Sequence, residues 1–224
     1  MQKFQNMKVL TSYHCEYFTY IRNVSGLPNL EKLSFENCKN LITIDNSTIR
    51  HQSKLEILNA DGCSNLDVGV SSFPKLLCKM KNIEYISLYN TSIRELPSSF
   101  QNLSKLYQLS LRDCCNLFDE CLPIFLKCCV NMVTLDLSNN NFKILPECLN
   151  ECHLVWVLNL DRCKSVEEIR GIPPNLERLS AIECKSLSSS SRRMLLSQAG
   201  RTCFSFSNGT DGILLANICK NGII

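Results

Sequence analysis

Apolar and polar residues alternate at fixed offsets within a segment of about twelve residues, and that segment recurs eight times along the chain. The copies read MKVLTSYHCEYF from Met7, LEKLSFENCKNL from Leu30, LEILNADGCSNL from Leu55 and IEYISLYNTSIR from Ile83. They continue as LYQLSLRDCCNL from Leu106, MVTLDLSNNNFK from Met132, VWVLNLDRCKSV from Val155 and LERLSAIECKSL from Leu176. In each copy a period of two predicts a short strand with one buried face. Leu33 and Phe35, Leu58 and Ala60, Ile86 and Leu88, Leu109 and Leu111, and Leu135 and Leu137 are predicted to point inward. The residues two, four and six places after each start point the other way. In the central copies these are Tyr85, Ser87 and Tyr89, then Gln108, Ser110 and Arg112, then Thr134, Asp136 and Ser138.

Beyond each strand the chain must turn while its backbone groups stay hydrogen-bonded inside the stack. A small side chain able to bond backbone suits the ninth position, which holds Cys15, Cys38, Cys63, Thr91, Cys114, Asn140, Cys163 and Cys184. The returning segments vary in length and belong on the outer side. Ser72-Phe73-Pro74 before KLLCKMK reads as a capped short helix, and Asp119 to Cys129 as a longer one. Leu96-Pro97, Leu145-Pro146 and Ile172-Pro173-Pro174 read as extended or turn segments, because proline disfavours helix at the residue before it.

The pattern L-x-x-L-x-L-x-x-(C/N)-x-x-L, with starts 21 to 28 residues apart, is that of leucine-rich repeats. The predicted fold is an α/β leucine-rich-repeat solenoid. It is a curved right-handed array with a parallel β-sheet on the concave face and short helices, turns and loops on the convex face. Stacking supplies the burial that no single repeat can. Residues 1–190 form the repeat domain, with about eight repeats and an incomplete N-terminal cap. Residues 191–224 are predicted to be a C-terminal helix and irregular tail, a truncated post-repeat region.

Composition narrows the function. The formal net charge of the 224 residues is +3, and the strand face mixes Lys32, Arg112 and Arg178 with Glu36, Asp61, Asp136 and Asp161. Such a face lacks the basic stripe of a nucleic-acid binder. No apolar run is long enough for a membrane span, and MQKFQNMKVL lacks the apolar core of a secretory signal. An odd count of 15 cysteines then predicts a reducing compartment, the cytoplasm or the nucleus.

No phosphate-binding, dinucleotide, zinc-protease or nucleophile-elbow motif occurs, and His14, His51 and His153 lie far apart in the repeat order. Cys148, Cys152 and His153 lack a second ligand pair at zinc spacing, so the extra cysteines read as buried structural thiols. Glu36 and Asp61 on adjacent strands read as solvated surface carboxylates. Neither an enzyme nor a metal protein is predicted. The expected contact site for protein is the concave face: Tyr85, Tyr89 and Arg112 at its middle, with Lys32, Glu36, Asp61, Asp136, Asp161 and Arg178 around them. Tyrosine and arginine are frequent interface anchors. Trp156 sits just outside this set, at the edge of its strand.

Several phrases carry a family resemblance: LEKLSFENCKNL, LERLSAIECKSL, YNTSIRELPSSFQNLSKL and IPPNLERLSAIECKSLSSSSRRMLLSQ. They resemble the C-terminal region of plant TIR-type nucleotide-binding leucine-rich-repeat disease-resistance receptors, over about residues 7–203. The resemblance implies a defence-signalling role: recognition of a pathogen effector or a guarded host protein, or autoinhibition through the receptor's own N-terminal domains. It implies ADP or ATP only for a nucleotide-binding domain outside this segment, so no cofactor is expected here. Nor is a nucleic-acid or membrane partner. The alternative is a substrate-recruiting subunit of an F-box-type ubiquitin ligase, which CCNLFDECLPIFLKCCVNMVTLDLS resembles in one repeat. The Leu-Pro turns fit the immune receptors better.

Overall fold

Residues 4–21, 24–44, 52–66, 81–94, 96, 100, 103–126, 131–198 and 203–206 are described by a computed structural model. Its strands are β1 (Val9–Tyr13), β2 (Tyr20–Ile21), β3 (Lys32–Glu36), β4 (Thr43–Ile44), β5 (Ile57–Asn59), β6 (Tyr85–Ser87) and β7 (Gln108–Ser110). They continue as β8 (Thr134–Asp136), β9 (Ile144–Leu145), β10 (Val157–Asn159), β11 (Glu168–Ile169), β12 (Arg178–Ala181) and β13 (Cys203–Phe206). Nine of them form one sheet in the order β1-β3-β5-β6-β7-β8-β10-β12-β13. Every neighbouring pair in it is parallel and in repeat register. Leu10, Leu33, Leu58, Ile86, Leu109, Leu135, Leu158 and Leu179 therefore stack rung upon rung. All but Leu10 are buried, as are Phe35, Ala60, Leu88, Leu111 and Leu137 two residues later. The inward set read from the sequence is the core.

The ninth-position side chains tie successive repeats together. Cys63 Sγ donates to Phe35 O at 2.7 Å, Cys114 Sγ to Leu88 O at 3.0 Å and Cys163 Sγ to Leu137 O at 3.1 Å. Cys184 Sγ donates to Leu160 O at 3.0 Å, and the Asn140 amide donates to Leu111 O and Leu137 O at 2.8 Å each. In every case the acceptor on the preceding repeat is its sixth residue. A thiol does this with little desolvation cost, since it is a small apolar group with a weak donor. The last apolar column, Leu41, Leu66, Ile93, Leu117, Phe142, Val166 and Leu187, closes the interior just beyond the turn.

A feature of the backbone precedes each of these side chains. His14, Asn37, Asn90, Asp113, Asn139, Arg162 and Glu183 all have φ between 52° and 62°, and Gly62 has φ 72°. The eighth position of every repeat is thus left-handed, although only one copy places glycine there. Asn37, Asn90, Asp113 and Asn139 tolerate that region, and at Arg162 and Glu183 the stack overrides the local cost of the side chain. A second ladder runs along the N-terminal end of the strands. Asn82 donates to Ser53 O at 2.8 Å, Asn175 to His153 O at 2.8 Å, and Asn131 to Ser104 O, each from the residue before a repeat start.

The outer side is more varied. The helix expected from Asp119 to Cys129 is described as Cys121–Leu126, with residues 127–130 outside the described set. The helix expected near Pro74 also lies outside the described residues. Leu145 is extended as the following proline requires, and β9 pairs with β11 in a two-stranded sheet; β2 pairs with β4 in another. Helix Ser189–Ser197 starts on a Ser188 cap whose hydroxyl accepts the Ser191 amide at 3.2 Å. The sheet also continues past the boundary drawn at residue 190. Strand β13 pairs with β12, placing Phe204 opposite Leu179, so part of the segment read as an irregular tail adds a ninth rung.

A Cβ on Gly62 would lie 2.2 Å from Asn37 Oδ1 in a left-handed backbone, so G62A should lower stability by about 1–2 kcal/mol in urea titration. Burial raises the Cys63, Cys163 and Cys184 thiols to about 12 and Cys114 to about 11. Unfolded thiols ionise near ~8.5, so the stabilisation these thiols give is complete below that pH and is lost as pH rises toward 11–12. Unfolding measured from pH 7 to 11 should show this loss, and replacing all four by alanine should flatten it. Native Cys115, which is exposed, should react with a thiol reagent before the four buried ones.

Candidate functional site

The sheet face carries two polar networks that are spent internally, separated by a middle that is not. On the first side, Glu36 Oε1 accepts from Ser34 Oγ at 2.9 Å and from Asn59 Nδ2 at 3.1 Å. Asn59 Oδ1 accepts the Asp61 amide at 2.8 Å, and Asp61 Oδ1 accepts Ser87 Oγ at 2.5 Å and the Tyr89 amide at 3.0 Å. These bonds cross β3, β5 and β6. On the other side the same arrangement recurs: Asn159 Oδ1 accepts the Asp161 amide at 3.0 Å, and Asp161 Oδ1 accepts Ser180 Oγ and, at 2.8 Å, the Ile182 amide.

Glu36, Asp61 and Asp161 are therefore strand-to-strand connectors, which corrects the reading of Glu36 and Asp61 as solvated carboxylates. The N-x-D phrase at 59–61 and 159–161, in equal positions of two repeats, was the available signal. Burial raises the pKa of Asp61; the Ser87 and Tyr89 hydrogen bonds oppose that rise, and nearby Glu36 adds to it. A second correction concerns the column four places after each repeat start, expected to be exposed. Ser34 and Ser87 are buried, because their larger neighbours, such as Lys32 and Glu36 or Tyr85 and Tyr89, close over a short hydroxyl side chain.

Between the two networks lies a shallow concavity of about 390 Å³, lined by Tyr85, Tyr89, Gln108, Arg112, Thr134 and Asp136 among others. Strand register alone places Tyr85, Gln108, Thr134 and Val157 on successive rungs, with Ser87, Ser110, Asp136 and Asn159 on the next row. The Arg112 guanidinium carbon stands 5.3 Å from the Tyr89 ring centre, a cation–π contact that orders both side chains. The side chains of Tyr85, Gln108, Ser110, Arg112 and Thr134 make no hydrogen bond to another described residue. Among the described residues Asp136 accepts only from the nearby Ser138 amide, at 3.0 Å. The expected trio of Tyr85, Tyr89 and Arg112 is thus brought together with Asp61 and Asp136. Lys32 and Glu36 stand on β3 to one side, and Asp161 and Arg178 follow or lie on β10 and β12 to the other. No cluster of three or more potential metal ligands occurs among the described residues.

Asp61 offers a pH test. Its folded pKa lies above the unfolded value of ~3.9, so the folded state binds the proton first and Asp61 favours folding more as pH falls through that window. D61N keeps the acceptor oxygen and sheds the buried charge. It should match or exceed the wild-type Tm at pH 7, with the difference closing by about pH 3.5. D61A, which strands the Ser87 hydroxyl, should lose about 1–2 kcal/mol at either pH.

Comparison with known proteins agrees with this architecture. The Leucine Rich Repeat family model matches residues 131–152. TMV resistance protein N of Nicotiana glutinosa is 28% identical over 181 residues, covering 70% of this chain and 15% of that protein. Disease resistance protein RPP2A of Arabidopsis thaliana is 35% identical over 130 residues, covering 51% of this chain and 10% of that protein. The chain thus spans about 15% of the length of the first of these relatives. Among solved structures, the leucine-rich repeat domain of the type III effector XopL superposes with TM-score 0.51 at 19% identity, covering 81% of this chain and 54% of that one. Toll in its Drosophila complex with Spatzle superposes with TM-score 0.56 at 16% identity, over 82% of this chain and 28% of that one. These two support the fold alone.

Proposed function

We propose that this leucine-rich-repeat solenoid, similar to plant disease-resistance proteins, is the partner-recognition region of an intracellular plant immune receptor. Its sheet face holds a pathogen effector, a guarded host protein or the receptor's own N-terminal domains. Contact with the receptor's own domains would keep it silent, and contact with a foreign protein would release it. The observation that carries this reading is the unequal use of polar groups across the face. Flanking carboxylates are consumed between strands, while Tyr85, Gln108, Arg112 and Thr134 keep unfilled hydrogen-bonding capacity beside two aromatic rings. A shallow, open, mixed-charge surface suits a protein epitope better than a small substrate, which needs enclosure. Catalysis has no place in the proposal, and neither does a cofactor. The compartment proposed is the cytoplasm, with the nucleus as a second location; no described helix is long and apolar enough to cross a membrane.

The test is recovery of bound proteins from pathogen-challenged leaf tissue with the wild-type chain and with the Y85A/Y89A/R112A variant. Partners captured by the wild type should fall at least tenfold with the variant, while thermal stability changes little. An unchanged set of partners would remove the middle of the sheet face as the recognition site.

A further inference from the structure

A separate column of side chains lies at the N-terminal rim of the sheet, one residue after each repeat start. Its six central members are Glu31, Glu56, Glu84, Tyr107, Val133 and Trp156, three carboxylates followed by three apolar groups. They occupy consecutive rungs, because each amide in the series from Glu56 to Trp156 donates to the carbonyl of the member before it, at 2.7 to 3.1 Å. In the apolar half Val133 is half-buried between two rings open to solvent: Tyr107 is 44% exposed and Trp156 45%, with Leu154 near Trp156 at 42%. In the acidic half, Glu31 is held by Lys8 at 2.8 Å, while Glu56 and Glu84 have no ion pair with a described residue. Lys8, held by Glu31, also stands near enough to Glu56 to feel its charge, whereas the two lysines next to Glu56 and Tyr107 are turned elsewhere. Lys54 Nζ donates to Asn29 Oδ1 at 2.6 Å and Lys105 Nζ to Asn82 Oδ1 at 3.0 Å.

We propose that this rim is a second docking surface, for an extended protein segment carrying basic residues followed by bulky apolar ones. The charge and apolar order of the column select that occupant. Lysine or arginine on the segment meets Glu56 and Glu84, which sets its register, and its apolar residues cover Tyr107 and Trp156, which supply most of the buried area. Six rungs at ~4.8 Å span roughly 24 Å, the reach of about seven extended residues. The proposal is independent of the partner assigned to the middle of the sheet face, because no rim residue lines that concavity.

The experiment is fluorescence anisotropy with the full chain and two labelled peptides, Arg-Lys-Arg-Gly-Leu-Phe-Leu and Glu-Glu-Glu-Gly-Leu-Phe-Leu. The basic peptide should bind at least tenfold more tightly than the acidic one, and more weakly as salt is raised. E56K/E84K should abolish that preference, with E56Q/E84Q intermediate. W156A should weaken the basic peptide about tenfold, and Y89A/R112A should leave it unchanged. Equal binding by wild type and E56K/E84K would overturn the proposal. So would loss of binding in Y89A/R112A, which would move the peptide to the sheet face without touching the function proposed there. Sedimentation that shows a dimer abolished by W156A would assign the apolar half to a second copy of the chain, and would overturn it as well.

Discussion

The stack depends on one repeated contact, in which the ninth residue of a repeat donates a hydrogen bond to the carbonyl of the sixth residue of the repeat before it. Cys63 on Phe35 and Cys184 on Leu160 are two of these contacts. The contact lies inside the solenoid, where an unsatisfied carbonyl would cost about 1–3 kcal/mol. It also joins neighbours, so a repeat without its predecessor would have a donor and nowhere to place it. Cysteine serves because it packs as an apolar group once the bond is made. Asparagine at 140 makes the bond to Leu111 O and adds a second to Leu137 O of its own repeat, whereas Thr91 turns to Leu88 O of its own repeat at 2.8 Å. Where these polar residues stand, the next buried apolar residue, Ile93 or Phe142, comes two places later instead of three.

With the interior fixed in this way, the sheet face differs from place to place. Hydroxyl, amide and carboxylate groups cross-brace the strands on both sides of the face, while its middle is braced only beyond the strands, where Asn139 donates to Asp113 Oδ1 at 2.7 Å. A face braced throughout would have little polar capacity left for a partner. One with no bracing would leave its parallel strands held by backbone bonds alone. Here the braces flank a pre-ordered Tyr89–Arg112 pair, so binding there needs less ordering of side chains than an isolated arginine would.

The sequence was most readable where chemistry repeats. The inward column from Leu33 to Leu179, the ninth-position set and the meeting of Tyr85, Tyr89 and Arg112 all follow from copies aligned in one register. Three things did not. The left-handed eighth position was missed although Asn37, Gly62, Asn90, Asp113 and Asn139 are of the types that favour it; at Arg162 and Glu183, which give no such signal, the turn is imposed by its neighbours. Glu36 and Asp61 looked like free surface acids because their partners on the next strand, Asn59 and Ser87, lie 23 and 26 residues away in sequence. Strand β13 was missed because its Cys-Phe-Ser-Phe core has no leucine, although the alternation is the same.

The starts of the repeats are spaced from 21 to 28 residues, yet neighbouring strands pair in the same register throughout. Differences in repeat length are therefore absorbed outside the paired strands. The two sides of the molecule obey different rules of change: insertions and deletions can accumulate in the returning segments without shifting any side chain on the sheet by a single rung. The inner face behaves as a ruler with fixed divisions, on which individual marks can be exchanged one at a time while the distance between them is conserved.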